Sequence, residues 1–318
     1  MNSSRRRFLA GLGATMIANH FSGWSALSAG EASFKLGVIS DEISQDFEHA
    51  LAVARELGLQ HVELRGMWNK NLMDLKEDEL KEARRLLTKY GMKVTDIASP
   101  FMKVDAPGFT TREGQRDTFN ARFGYKEQPQ VLERAIEMAK VLDTDKIRVF
   151  SFWRIEKPAA VFDLVVSDLR QALEKAKKHK ITLVLENEHD CNIATAAESV
   201  KLLAAIPDPY LGLNWDPGNA YAAGEKVYPD GYNLLPKNRI LHMHVKDIRR
   251  DPTTGKTEWY PMGKGEIDYV GQFKALIRDG YRHAVSLETH WRTPNKDAEE
   301  STRISMRGLK ELLGKAST

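Results

Sequence analysis

The sequence predicts an α/β protein built as one (β/α)8 barrel, and three observations lead there. Short apolar runs alternate eight times with helix-like runs, the pattern of parallel βα units. The chain has 318 residues, 42% of them hydrophobic, enough for one large barrel core. Four apolar runs each end in an acidic or imidazole side chain: Leu183-Val184-Leu185-Glu186, Leu213-Asn214-Trp215-Asp216, Leu241-His242-Met243-His244 and Val285-Ser286-Leu287-Glu288. Side chains delivered from four separate strand ends meet only where the strands close around one axis.

In chain order the expected strands are 35–40, 60–65, 93–98, 146–150, 182–186, 212–216, 240–245 and 284–288. Helical period is clear between them. Phe47, Ala50, Leu51, Ala54 and Leu57 follow i, i+3, i+4, i+7, i+10, and Phe162, Val165, Val166, Leu169, Leu173 and Ala176 repeat that stripe. Gly58 and Gly91 stand where helix C-caps belong. Two connections break the rhythm. The stretch 221–238 is rich in Gly, Pro and Asn and reads as a loop. The stretch 101–130 is polar and too long for a simple connector, which marks it as a lid or binding element. The charge run 175–180 reads as a solvated helix end. No internal repeat or domain boundary is visible after residue 30.

The N-terminus is a separate matter. Ser4-Arg5-Arg6-Arg7-Phe8-Leu9 carries a twin-arginine pattern, followed by a modestly apolar stretch to Leu27 and small residues at Ala26, Ser28 and Ala29. Residues 1–29 are therefore expected to be a twin-arginine signal peptide and 30–318 the barrel, with export to the periplasm. Gly11, Gly13, Asn19 and His20 interrupt the apolar stretch and make it a poor membrane span. The formal charge of +3 equals the three arginines of this segment, so the remainder is formally neutral and has no electrostatic footprint for nucleic acid. The single cysteine, Cys191, excludes an internal disulfide. The expected partner is a small-molecule sugar or glycoside, with no nucleic acid, no membrane after signal removal, and a homo-oligomer left open.

Strand phase places the polar set. In the seventh strand Leu241, Met243 and Val245 alternate with His242, His244 and Lys246; in the eighth Val285 and Leu287 alternate with Ser286, Glu288 and His290. Period two sends the apolar set to the helices and the polar set into the barrel. Polar residues at the C-terminal ends of barrel strands sit where barrel active sites sit. Glu186, Asp216, His244 and Glu288 form a mixed oxygen/nitrogen set suited to one divalent metal ion, Mn²⁺, Mg²⁺, Co²⁺ or Zn²⁺. His242 lies one layer deeper and reads as a hydrogen-bonded core histidine. Glu188 and His189, just past the fifth strand, together with Asn219, Lys246 and His290, are placed for substrate. Trp68, Phe101 and Trp153 follow strands two, three and four, where aromatic rings either pack or stack on a sugar. Glu63 and Arg65 end the second strand and serve equally well in internal ion pairs.

The runs Leu185-Glu186-Asn187, Trp215-Asp216-Pro217-Gly218-Asn219, His242-Met243-His244-Val245-Lys246-Asp247, Gly263-Lys264-Gly265-Glu266-Ile267-Asp268 and Ser286-Leu287-Glu288 resemble the xylose isomerase-like TIM barrel superfamily, and within it the sugar isomerase/epimerase branch. The resemblance implies that Glu186, Asp216, His244 and Glu288 bind one divalent ion and that Glu186 and Glu288 are the acid/base pair. It implies proton abstraction next to a carbonyl through a metal-stabilised enediolate. Return of the proton to the opposite face gives epimerisation, return to the next carbon gives isomerisation, and loss of a β-substituent gives elimination. Asn219 stands where similar epimerases often carry a histidine. That departure keeps a 3-keto-glycoside lyase as the alternative. Two further classes are weaker: an abasic-site endonuclease, which needs more histidines on the early strands, and a non-catalytic periplasmic sugar-binding protein, which has no use for two bases.

Overall fold

The computed structural model describes residues 34–112 and 118–318. The twin-arginine segment, and with it the 29/30 boundary, lies outside the described residues. Eight strands form one parallel sheet: β1 Lys35–Val38, β2 His61–Leu64, β3 Lys93–Ile97, β4 Lys146–Val149, β5 Thr182–Glu186, β6 Leu211–Trp215, β7 Ile240–Val245 and β8 Ala284–Leu287. Sequential strands pair from β2 through β8, β8 pairs with β1, and a parallel bridge between Ile39 and Glu63 closes the ring. The expected barrel is present. Its strands agree with the sequence reading to within two residues at each end, and β5 and β7 agree fully.

Helices follow the strands: α1 Phe47–Glu56, α2 Glu77–Tyr90, α3 Gln128–Val141, α4 Phe162–Lys178, α5 Ala196–Ala205, α6 Pro217–Ala222, α7 Tyr269–Arg278 and α8 Ala298–Ala316. Their apolar stripes drive the packing. Phe47, Ala50, Leu51 and Ala54 of α1 are all fully buried, and each large side chain of this kind contributes about 1.5–3 kcal/mol on leaving water. Capping follows the sequence. Asp46 accepts from the His49 amide at 3.1 Å to start α1, and Gly91 ends α2 in the left-handed region at φ 61°, a conformation that suits a residue without Cβ.

Period two sorts the strand residues as expected. Met243 and Val245 join the core between sheet and helices, while His242, His244 and Lys246 are buried inside the barrel. The irregular connections are more structured than their composition suggests. After α6, residues 227–239 run as a chain of single helical turns, because Pro229, Gly231 and Pro236 prevent a continuous helix. Residues 101–104 run beside 150–153, with amide–carbonyl bonds from Phe150 to Phe101 at 2.9 Å, Phe152 to Met102 at 2.7 Å and Trp153 to Val104 at 2.9 Å. The stretch after β7 forms a hairpin, Asp247–Arg250 with Thr257–Tyr260, which the sequence reading did not expect.

Candidate metal centre at the barrel mouth

Four strand ends converge. Donor atoms of Glu186, Asp216, His244 and Glu288 all lie within 4.8 Å of one another, and all four residues are buried. His244 Nδ1 is 3.2 Å from Glu186 Oε1, 3.6 Å from Glu288 Oε2 and 3.9 Å from Asp216 Oδ2. Metal–ligand bonds of about 2.0–2.2 Å put neighbouring donors about 3.0–3.5 Å apart. Sub-ångström movement would therefore seat one ion.

The surrounding bonds orient the donors. His244 Nε2 faces both carboxylate oxygens of Glu63, at 2.9 and 3.0 Å. A proton held there fixes the ring so that Nδ1 faces three carboxylates, the carboxylate–histidine arrangement typical of metal ligands. Asp216 caps α6: its Oδ1 accepts from the Asn219 amide at 2.9 Å, with Pro217 at the first helical position. That leaves Oδ2 to an ion pair with Lys246 Nζ at 2.9 Å. Glu186 Oε1 accepts from Asn219 Nδ2 at 3.1 Å, and its Oε2, without a hydrogen bond, is 3.2 Å from Arg148 Nη1. Glu288 Oε1 is 3.4 Å from Arg65 Nη1. Burial opposes a charge on His244, but Glu63 and Glu186 push its pKa well above the ordinary value; once a divalent cation displaces that extra proton, the ring nitrogen and the buried carboxylates fit it as ligands.

Electrostatics set the charge states. Burial opposes ionisation of Glu288, but Lys246 and His290 hold its carboxyl well below the usual range. Burial likewise works against Glu186, and His244 and Arg148 bring it below its ordinary value. Asp216 is raised, by burial first and then by Glu186 and Glu288, against the pull of Lys246. It is the member whose charge most needs a cation beside it.

One layer down, His242 Nε2 is 3.1 Å from Asp96 and its Nδ1 3.0 Å from Asn214 Oδ1, a hydrogen-bonded core histidine. Glu63 and Arg65 do not pair with each other. Glu63 serves His244, while Arg65 binds Asp41 at 3.0 Å and Glu42 at 2.7 Å.

The mouth gathers several expected residues. Glu188 Oε1 is 2.7 Å from His189 Nδ1 and its Oε2 is 3.2 Å from Lys103 Nζ. Burial alone would depress the His189 pKa, but Glu188 and Asp190 push it up to about 9. Asn219 Oδ1 is 2.9 Å from the same His189 nitrogen, so Asn219 ties Glu186 to a mouth histidine. His290 stacks edge-on with Trp259 at 4.8 Å, and His189 does so at 6.1 Å. Trp153 is buried beside Phe150 and Cys191, with Lys103 Nζ 5.4 Å from its ring.

Trp68 and Phe101 point elsewhere. The Trp68 ring packs edge-on against Phe47 of α1 at 6.0 Å. Phe101 lines a groove between α3 and α4 with Tyr125, Leu132 and Phe152. Met102 explains the second case: its left-handed φ of 64° breaks the alternation, and Lys103 takes the inward place.

The sequence reading missed Arg148, Lys103, Phe119 and Trp259. Arg148 had a signal, a lone arginine between Ile147 and Val149 in strand phase with the barrel interior. The others had none. Trp259 arrives on the hairpin, with Lys246 Nζ 5.4 Å from its ring centre. Phe119 comes from the long connector and covers the Arg65 guanidinium at 3.9 Å.

Comparison with known proteins agrees with this architecture. Over 177 residues, 54% of this chain, the protein is 30% identical to the 3-oxo-isoapionate decarboxylase of Pectobacterium atrosepticum. The match covers 62% of that relative's length. Over 272 residues, 81% of this chain and 79% of the relative, it is 22% identical to the inosose dehydratase of Lactiplantibacillus plantarum. Among solved structures, the IOLI protein with a bound zinc atom superposes with a TM-score of 0.70 at 17% identity, over 89% of this chain and 99% of that one, a likeness of fold. The family described as xylose isomerase-like TIM barrel matches residues 51–312, and the chain belongs to that family.

Proposed function

We propose that this protein is an exported, divalent-metal-dependent sugar isomerase/epimerase that removes a proton next to a carbonyl. The observation that carries the reading is the convergence of Glu186, Asp216, His244 and Glu288, with Glu63 fixing the outward nitrogen of His244. A divalent ion on these donors supplies Lewis acidity to a substrate carbonyl and its neighbouring hydroxyl. Glu186 ends β5 and Glu288 follows β8, so the two carboxylates reach the cluster from opposite sides of β6 and β7. Both are held as carboxylates, the state a base requires, so either can take the substrate proton, and the other delivers a proton to the opposite face once it has itself taken one from solvent. Glu188, His189, Lys246, His290 and Trp153 line the approach and contact the sugar hydroxyls and ring. The twin-arginine pattern at Arg5 and Arg6 supports action in the periplasm, after export as a folded protein.

A lyase acting on a 3-keto-glycoside is the second reading. Asn219 favours it, because its amide is engaged with Glu186 and His189 where an epimerase of the resembling branch often has a histidine. The names of two relatives, a decarboxylase and a dehydratase, favour it as well, while that of a third, a putative L-ribulose-5-phosphate 3-epimerase, favours the first. Incubating the Mn²⁺-loaded protein in D₂O with a panel of ketoses and 3-keto-glucosides separates the two. Deuterium in an epimer or isomer supports the first; released aglycone with an unsaturated sugar supports the second. Absence of C–H exchange and of aglycone release across the panel overturns both.

A further inference from the structure

The oxygens through which Asp216 and Glu288 face His244 are the ones that Lys246 holds. Lys246 Nζ is 2.9 Å from Asp216 Oδ2 and is bonded to Glu288 Oε2. The other oxygen of each carboxylate has its own partners. Asp216 Oδ1 caps α6 through the Asn219 amide, and Glu288 Oε1 faces Arg65 and His290, both at 3.4 Å. Lys246 itself is 2% exposed. Its ammonium therefore has no solvent to pair with at this position, and among the described residues it is the nearest cation to those two oxygens, closer than His244 Nδ1 at 3.9 and 3.6 Å.

We propose that Lys246 is an internal counter-ion of the metal site, using the same two oxygens as the divalent ion. The inference rests on the metal-dependent reading above. Lys246 holds Asp216 and Glu288 together against their mutual repulsion, so the barrel folds with its ligands already gathered. Metal entry moves the ammonium off Oδ2 and Oε2. Its four-carbon stem then carries it toward the Trp259 face, 5.4 Å away, and into the substrate approach. The positioning of Lys246 for substrate is thus coupled to metal loading, and the metal binds more weakly than its four donors alone would allow.

The test is Mn²⁺ titration of the purified protein by calorimetry, for wild type, Lys246→Met and Lys246→Arg. Removing a unit charge within about 4 Å of the ion's seat is worth about tenfold or more in affinity. Lys246→Met is expected to bind Mn²⁺ about tenfold or more tightly, and Lys246→Arg, which keeps the charge, to stay near wild type. The melting temperature of metal-free Lys246→Met falls, and its rise on adding Mn²⁺ exceeds that of wild type. A second measurement stands if the Met variant does not fold: in wild type, the ¹³Cε resonance of Lys246, assigned by its loss in Lys246→Arg, shifts on titration with diamagnetic Mg²⁺. Equal or weaker Mn²⁺ binding by a folded Lys246→Met, or a Lys246 resonance unmoved while Mg²⁺ binds, overturns the counter-ion role and leaves the metal site standing. Failure of wild type to bind Mn²⁺, Mg²⁺, Co²⁺ or Zn²⁺ overturns the metal reading itself.

Discussion

Replacing Glu63 by Gln tests the orientation of the metal donors without touching one of them. Both Glu63 oxygens lie within 3.0 Å of His244 Nε2. Its other polar neighbours are farther off, His242 at 3.7 Å and Arg148 at 3.8 Å, and each has a nearer partner of its own, Asp96 at 3.1 Å and Glu186 at 3.2 Å. The loss therefore falls on His244. Glutamine keeps the volume and one acceptor but removes the charge that fixes the Nε2 proton and makes Nδ1 more basic. Substitutions of this kind typically reduce metal affinity about 10–100-fold, or about 1.4–2.8 kcal/mol at about 1.4 kcal/mol per decade. The assay is chelator-competition calorimetry with Mn²⁺ and Zn²⁺, backed by ¹⁵N spectra reporting which His244 nitrogen carries the proton. Affinity unchanged within twofold in both Glu63→Gln and Glu63→Ala would refute the reasoning.

Three further expectations follow from the geometry. Glu186→Gln and Glu288→Gln each lose at least about 10²-fold in C–H exchange with solvent deuterium while still quenching tryptophan fluorescence with the turned-over sugar; retained exchange rules out the acid/base pair. The Glu188–His189 pair stabilises the fold fully below about pH 6.5, where imidazole is protonated whether folded or unfolded, and this contribution disappears as pH rises through about 9; the melting-temperature advantage of wild type over His189→Gln should shrink across that window, and an advantage growing with pH contradicts the pairing. In Gly265→Ala the new Cβ would stand 1.9 Å from Asp247 Oδ1 and 2.6 Å from the Ile248 nitrogen, so about 1–3 kcal/mol of stability is lost, measurable by urea denaturation; a neutral result means the loop yields freely.

The barrel was legible because period two is strict in its strands. Leu185 and Glu186, or Met243 and His244, differ by one residue and face opposite sides of the wall. The strand ends carrying Glu186, Asp216, His244 and Glu288 showed for the same reason, since a charged or imidazole side chain in an apolar run has only the barrel interior to enter. Arg148 obeyed that rule too and was readable on the same grounds. Where the backbone leaves the extended region the rule stops. One left-handed residue, Met102, turned Phe101 outward and Lys103 inward, and sequence alone carries no trace of it. Trp259 was hidden differently. Its hairpin breaks the strand–helix alternation, and nothing local in Thr257-Glu258-Trp259-Tyr260 says which neighbours it meets. Asn219 was expected at the substrate and marked as a departure; its two hydrogen bonds, to Glu186 and to His189, needed coordinates.

The clamp at Asp247 has a consequence for how this mouth can diversify. Its Oδ2 accepts the Gly263 and Gly265 amides at 2.9 and 2.8 Å, and it follows His244 and Lys246 in the same run of four residues. The root of the hairpin is thereby welded to the frame that sets the donors, while residues 251–256 at its tip are exposed. Changes at the tip leave Glu186, Asp216, His244 and Glu288 in place, so this hairpin is the natural place to vary the chain around the mouth.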